Sequence, residues 1–155
     1  MTTQKTLNNN IAGIDYSTTS PAICIKVQDN WDIHFLTSKK TVVDEYWHSP
    51  FLFFGHTLPK IDVPIARYRY ISSWAVDVIE SYDVCAVLLE DYAYAATGRV
   101  FNIGENTGIL KYRLMHKEIP SYEIPPTVIK KFATGKGNAK KDMMLSNFIT
   151  STGVD

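Results

Sequence analysis

Two carboxylates stand where apolar, strand-like runs end: Asp15 in IAGIDYS and Glu90 in CAVLLEDY. An ionised carboxylate at the end of a buried strand gives up favourable hydration unless a cation or a hydrogen-bond donor replaces it. Two such groups in one short chain suggest a metal, and hard divalent cations are the ones that prefer carboxylate oxygens.

A second constellation is cationic. Lys130, Lys131, Lys136, Lys140 and Lys141 put five lysines into twelve residues, interrupted by Gly135 and Gly137. Glycines let a backbone approach a phosphate closely and lysines neutralise it, which binds a nucleic-acid backbone without reading its sequence. The plainer alternative is a solvated loop. Formal net charge is zero, yet residues 1–98 carry a net −4, residues 99–141 a net +6 and residues 142–155 a net −2. A basic segment beside an acidic one suits a metal-dependent enzyme acting on a polyanion; a solvated basic helix face is the competing explanation.

The elements that must position these groups follow from length and periodicity. With 155 residues and 45% hydrophobic composition, one domain is expected over residues 11–155, after a disordered tail over residues 1–10. The tail lacks the apolar core of a signal peptide, and no segment approaches the ~18 apolar residues of a membrane span, so the expected location is cytoplasmic, without membrane contact. Cys24 and Cys85 lie within apolar runs and read as core thiols rather than a disulfide.

Ile11 to Ser17, Ala22 to Val27 and Trp31 to Thr37 form three strands of an antiparallel meander, with a turn at Gln28 to Asn30. Ser38 to Pro64 holds three of the seven prolines and the aromatic patch Phe51 to Phe54; it reads as a long loop with at most one short strand. From Ile65 to Ile79 the period is helical. Cys85 to Glu90 is then a continuous apolar run, predicting a central parallel strand buried on both faces. A helix follows with Ile109, Leu110, Leu114 and Met115 toward the core, then a short strand at Ser121 to Ile124. A proline-led helix over Pro126 to Phe132 comes next, and a last helix capped by Asn138 runs through Phe148.

This order of elements is that of the ribonuclease H-like α/β fold, here with a mixed five-stranded sheet of three antiparallel strands and then parallel ones, flanked by helices. GIDYSTTSPA, LLEDYAY and PPTVIKKFATGKGNAKKDMM resemble, over roughly residues 11 to 150, the RuvC-like Holliday-junction resolvases and their phage relatives. The resemblance implies that the first and fourth strands are neighbours and that Asp15 and Glu90 together hold catalytic Mg²⁺ or Mn²⁺. It also implies a homodimer that cleaves branched DNA such as a four-way junction. A pair of ions in such a site activates an attacking water and stabilises the leaving oxygen.

The pattern is incomplete. The family closes its metal site with one or two acids on a last helix beyond the basic loop, where this chain has only Asp142 and Asp155. Asp142 follows Lys140 and Lys141 early in a helix, where a carboxylate complements the helix dipole, and is read as structural. The chain is therefore expected to stop short of the remaining acids. A ribonuclease H-like scaffold that binds junctions or protein without cleaving is one alternative. A fragment of an actin-like ATPase, suggested by GIDYSTTS but lacking a second phosphate motif, is another.

Asp91 is expected on the opposite sheet face from Glu90 by strand alternation. Arg99, Asn102 and Asn106 are expected to add polar contacts to DNA or, equally, to serve a helix N-terminus there. Tyr92 and Tyr94 are read as core rather than base-stacking residues, and Tyr68, Tyr70 and Trp74 as core or dimer contacts. His34, His48, His56 and His116 have no metal-ligand spacing.

Overall fold

The computed structural model describes residues 9–39, 45–91 and 100–154. The expected disordered tail falls almost wholly outside them, as do Arg99, Tyr92, Tyr94 and Asp155. Asn10 is tied in: its side-chain amide donates to the Tyr82 carbonyl at 2.7 Å, and its own carbonyl accepts from the Cys85 amide at 2.9 Å.

Strands β1 (Ile11–Asp15), β2 (Ala22–Val27) and β3 (Asn30–Thr37) form the expected antiparallel meander. The following stretch departs from expectation. It supplies two strands, β4 (Glu45–His48) and β5 (Phe51–Thr57), so the described sheet has seven strands in the order β4-β5-β3-β2-β1-β6-β7 rather than five. β5 pairs parallel with β3. The aromatic run is a strand rather than a loop because its neighbour and the last helix give it partners: Phe51 is buried, and its ring lies 5.5 Å from that of Phe148.

Helix α1 (Pro64–Ser81) leads into β6 (Ala86–Glu90), which pairs in parallel with β1 on one side and with β7 (Ser121–Ile124) on the other. Helix α2 (Val100–His116) lies between β6 and β7 in the chain and packs on α1. Together they cover one sheet face, where Ala12, Ile14, Ile23, Ile25, Val87 and Leu89 meet Ile71, Ala75, Ile79, Leu110 and Leu114. Burying each such aliphatic side chain stabilises the fold by roughly 1.5–3 kcal/mol before chain entropy is counted. Met115, expected to face this core, is instead exposed, on the outer side of α2.

The other face of the central strand is not sealed. β6 alternates, with Val87 and Leu89 inward and Leu88 41% exposed, so the expectation of burial on both faces fails. Cys85 is likewise exposed rather than a core residue, and both cysteines are free. The cause is that α3 (Pro126–Thr134) and α4 (Lys141–Thr152) pack chiefly on each other and leave a cleft above β1 and β6. Pro126 occupies the first turn of α3, and Gly135, with φ of 76°, ends it in the left-handed conformation that favours glycine. A Cβ on Gly137 would lie 3.1 Å from the Thr127 carbonyl oxygen, so this glycine seats the loop against the start of α3. The N-cap of α4 is Lys140, not Asn138, and it makes no side-chain capping bond.

The β3–β5 pairing also assembles a polar chain that sequence spacing hides. The Tyr82 hydroxyl donates its proton to Asp32 at 2.8 Å, so at 2.9 Å from it the His34 Nε2 must be the donor. Neutral His34 then accepts at Nδ1 from the His56 Nε2–H, 3.2 Å away. Protonating His34 would set two N–H groups against each other in a buried place, and burial with His56 nearby pushes its pKa down from 6.5 to about 4. The unfolded chain thus binds more protons than the folded one between those values. The contribution of His34 to stability is full above pH 6.5 and is lost as pH falls toward 4. Thermal melts from pH 7.5 to 4.5 are expected to show a steeper loss of Tm for the native chain than for His34→Gln, by several degrees at the acid end; parallel curves would clear His34 as the source.

Candidate active site

Alternation along β1 turns Ala12 and Ile14 into the core and Asp15 away from it; on β6, Leu89 turns inward and Glu90 away. Parallel register pairs Ile14 with Leu89, so the next residues, Asp15 and Glu90, stand side by side on strands about 4.8 Å apart. Both carboxylates open into a cleft of about 470 Å³, with Gly13 and Leu88 in its floor and Ile124, Val128, Ile129 and Phe132 in its wall. A glycine at the middle of a strand leaves room over the sheet for a ligand to approach.

The electrostatics are those of a strained acid pair. Burial raises the Glu90 pKa and the neighbouring Asp15 charge raises it further, while Lys130 lowers it in part. Burial likewise raises the Asp15 pKa, with Lys141 acting against it. The lysine cluster is thus divided by the fold. Lys130 lowers the Glu90 pKa and Lys141, although exposed, that of Asp15, whereas Lys131, Lys136 and Lys140, also exposed around the α3–α4 turn, have no such effect on either carboxylate.

The loop after β1 is held in place. The Ser17 hydroxyl accepts from the Thr19 and Ser20 amides at 3.2 and 3.3 Å, and Arg67 on α1 donates from Nε to the Thr18 carbonyl at 2.8 Å. Asp15 therefore sits between a paired strand and a pinned turn.

The pair fits a hydrated divalent cation. Its donors are carboxylate oxygens, and a cation would offset the burial that raises both pKa values and the Asp15 charge that raises that of Glu90 further; Mg²⁺ commonly takes one or two protein carboxylates and keeps several waters. Among the described residues no group of three or more His, Cys, Asp or Glu side chains is placed to hold a metal. Asp142 is exposed in the first turn of α4, as a dipole-complementing residue would be.

The remaining expectations divide. Asn102 is exposed on the first turn of α2 but does not line the carboxylate cleft. Asn106 is fully buried, with both polar side-chain atoms lacking hydrogen-bond partners among the described residues, so it is not a DNA contact. Asn106 shares its helix face with Leu110 and Leu114, which phase it inward, whereas Asn102, one turn earlier, lies at the exposed start of α2. Tyr68 is buried, Trp74 packs against the core, and Tyr70 is partly exposed. What sequence reasoning missed is the apolar wall, above all Phe132, for which the only signal was an aromatic residue inside the basic run.

A mixed sheet flanked by helices, with a carboxylate pair on adjacent parallel strands, defines the class: a ribonuclease H-like fold. The chain is 29% identical over 79 residues to the crossover junction endodeoxyribonuclease RuvC of Chlamydia abortus, covering 50% of this chain and 48% of the relative. It is thus homologous to RuvC by sequence over half its length, and the match spans about half of that relative. No family model matches the chain. Among solved structures, Thermus thermophilus RuvC in complex with a Holliday junction substrate matches with a TM-score of 0.64 at 16% identity, over 94% of this chain and 81% of that one. The Thermus thermophilus RuvC structure gives 0.61 at 16% identity, with the same coverages of 94% and 81%. The yeast mitochondrial Holliday junction resolvase Ydc2 gives 0.56 at 15% identity, over 91% of this chain and 61% of that one. The chain has the fold of these resolvases.

Proposed function

We propose that the protein is a Mg²⁺- or Mn²⁺-dependent, structure-selective endonuclease that hydrolyses phosphodiester bonds in branched DNA such as a Holliday junction. The observation that carries this reading is the in-register placement of Asp15 beside Glu90 in one cleft, with Lys130 and Lys141 near enough to act on their charge. In it, Asp15 and Glu90 hold the divalent ion, which when bound supplies activation of the attacking water and stabilisation of the leaving oxygen. Lys130 and Lys141 offset the acid pair and draw the phosphodiester toward it. Lys131, Lys136 and Lys140 grip flanking phosphates as counterion-releasing contacts. Ser17 and Arg67 fix the turn that orients Asp15.

Two symmetric nicks in a four-way junction need two active sites, which a two-fold dimer supplies. Val63 and Ile65 at the start of α1 and Tyr112 and Met115 on α2 present exposed apolar surface for a partner copy. Light scattering is expected to give twice the chain mass of 17.6 kDa, reduced to the single value by Tyr112→Glu. A monomeric native chain would remove this part of the proposal.

The test of function is cleavage of four-way junction, flap and linear duplex DNA with Mg²⁺ or with EDTA. Metal-dependent cleavage of the branched substrates in preference to duplex is expected. Binding of junctions with no cleavage under any metal would favour the second reading, a non-catalytic scaffold, which draws its support from the absence of a third acid beside Asp15 and Glu90 among the described residues. No described helix is long and apolar enough to cross a membrane.

A further inference from the structure

His34 and His56 meet at a place the acid pair does not use. His34 lies on the sheet face turned toward α1, since its register partner Ile23 is buried in the core, whereas Asp15 and Glu90 open on the opposite face. The two histidines belong to β3 and β5, which stand two and three strands away from β1. With Ser73, Trp74 and Asp77 of α1 they line a cavity of about 450 Å³.

Both rings are held. Phe54 stacks on His34 with centroids 4.4 Å apart and planes 10° from parallel, and Trp74 meets His56 edge-on at 6.0 Å. The tautomer of His34 is fixed as well: the Tyr82 hydroxyl donates to Asp32 and accepts from His34 Nε2, so His34 Nδ1 carries a bare lone pair. A carboxylate acting on the far nitrogen, here through a hydroxyl, is the arrangement that orients metal-ligating histidines. The lone pair faces His56 Nε2 at 3.2 Å. Two imidazole nitrogens bound to one tetrahedral Zn²⁺ stand about 3.3 Å apart.

We infer that His34 Nδ1 and His56 Nε2 form a second metal site, for one borderline transition-metal ion such as Zn²⁺, with water in the remaining positions. The ion replaces the hydrogen bond between the rings. The His56 proton moves from Nε2 to Nδ1, so both imidazoles stay neutral and no proton is released. Imidazole suits Zn²⁺, Cu²⁺ or Ni²⁺ where carboxylates suit Mg²⁺, so the two faces of the sheet select different metals. Two protein ligands make an open site with an exchangeable ion. Because they come from adjacent strands, the ion clips β5 to β3 and stabilises the β4–β5 extension of the sheet. The site stands independently of the proposed action on DNA.

The test titrates Zn²⁺, in excess Mg²⁺, into the native chain, His56→Gln, Tyr82→Phe and the double variant Asp15→Asn with Glu90→Gln. Calorimetry, Tm and the imidazole ¹⁵N NMR signals are read. His56→Gln keeps an N–H for His34 Nδ1, and so the fold, but removes the ligand. The native chain and the acid-pair variant are expected to bind one Zn²⁺ and to show His56 changing from the Nε2–H to the Nδ1–H tautomer. Their Tm should rise by about 5–10 °C at about 100 times the Kd. His56→Gln is expected to lose all three responses, and Tyr82→Phe to bind about tenfold more weakly. No Zn²⁺ binding by the native chain, or an equal response in His56→Gln, would overturn the inference. A response lost in the acid-pair variant would also overturn it, assigning the ion to the carboxylates. Unchanged affinity in Tyr82→Phe would overturn the positioning role given to Tyr82.

Discussion

Asp15→Asn and Glu90→Gln are each expected to lower metal-dependent cleavage of a four-way junction by more than about 100-fold, since even outer-shell partners of metal ligands are worth 10–100-fold. Junction binding in EDTA should survive, because both groups sit in the cleft and the lysines carry the affinity. The same substitutions are expected to raise Tm in EDTA. Burial holds both carboxyl pKa values above their ordinary range, and the Asp15 charge raises that of Glu90 further, so at neutral pH the ionised pair opposes folding, and removing one charge removes part of that opposition. Loss of activity with gain of stability is the signature of a site kept for function. A variant that loses activity and melts earlier would mark these residues as structural, and one that still cleaves would end the assignment.

The second large effect concerns the lysines, which the fold separates into two groups. Lys136→Ala with Lys140→Ala is expected to weaken junction and duplex binding alike and to reduce the slope of log affinity against log salt by about 0.9 per lysine. The metal concentration needed for half-maximal cleavage should not move in this double variant. Lys141→Ala should change both: it removes one phosphate contact, and it removes the cation that lowers the Asp15 pKa. Filter binding across a salt series, with a metal titration of the cleavage rate, separates the two outcomes. A salt slope that stays unchanged in the double variant would take the α3–α4 turn off the DNA surface.

Much of the fold was legible because its signals are local. The meander, the helix after Ile65 and the Ser121–Ile124 strand each depend on periodicity within a few residues, and their observed bounds lie within a residue or two of expectation. β4 and β5 were not legible. Proline and aromatic clusters argue for a loop when read alone, and β5 exists because β3 offers it a parallel edge and Phe148 a ring to pack on. The His34–His56 contact failed for the same reason, being made by strands 22 residues apart in the chain. Asn106 shows the converse error: its polarity argued for a surface role, and helical phase put it in the core.

By itself, the sequence determined the kind of chemistry: two acids at strand ends, five clustered lysines, and an element order in which β1 and β6 become neighbours. Side-chain type and local period are sufficient for that, since they are written in adjacent residues. The tertiary structure alone decided that Asp15 and Glu90 share one register step and one sheet face, that Lys130 and Lys141 answer them, and that Phe132 stands open beside the pair. Those facts depend on strand alignment and helix phase. Both are set by the packing of segments far apart in the chain, where a single residue of slip would send every side chain of a strand to the opposite face.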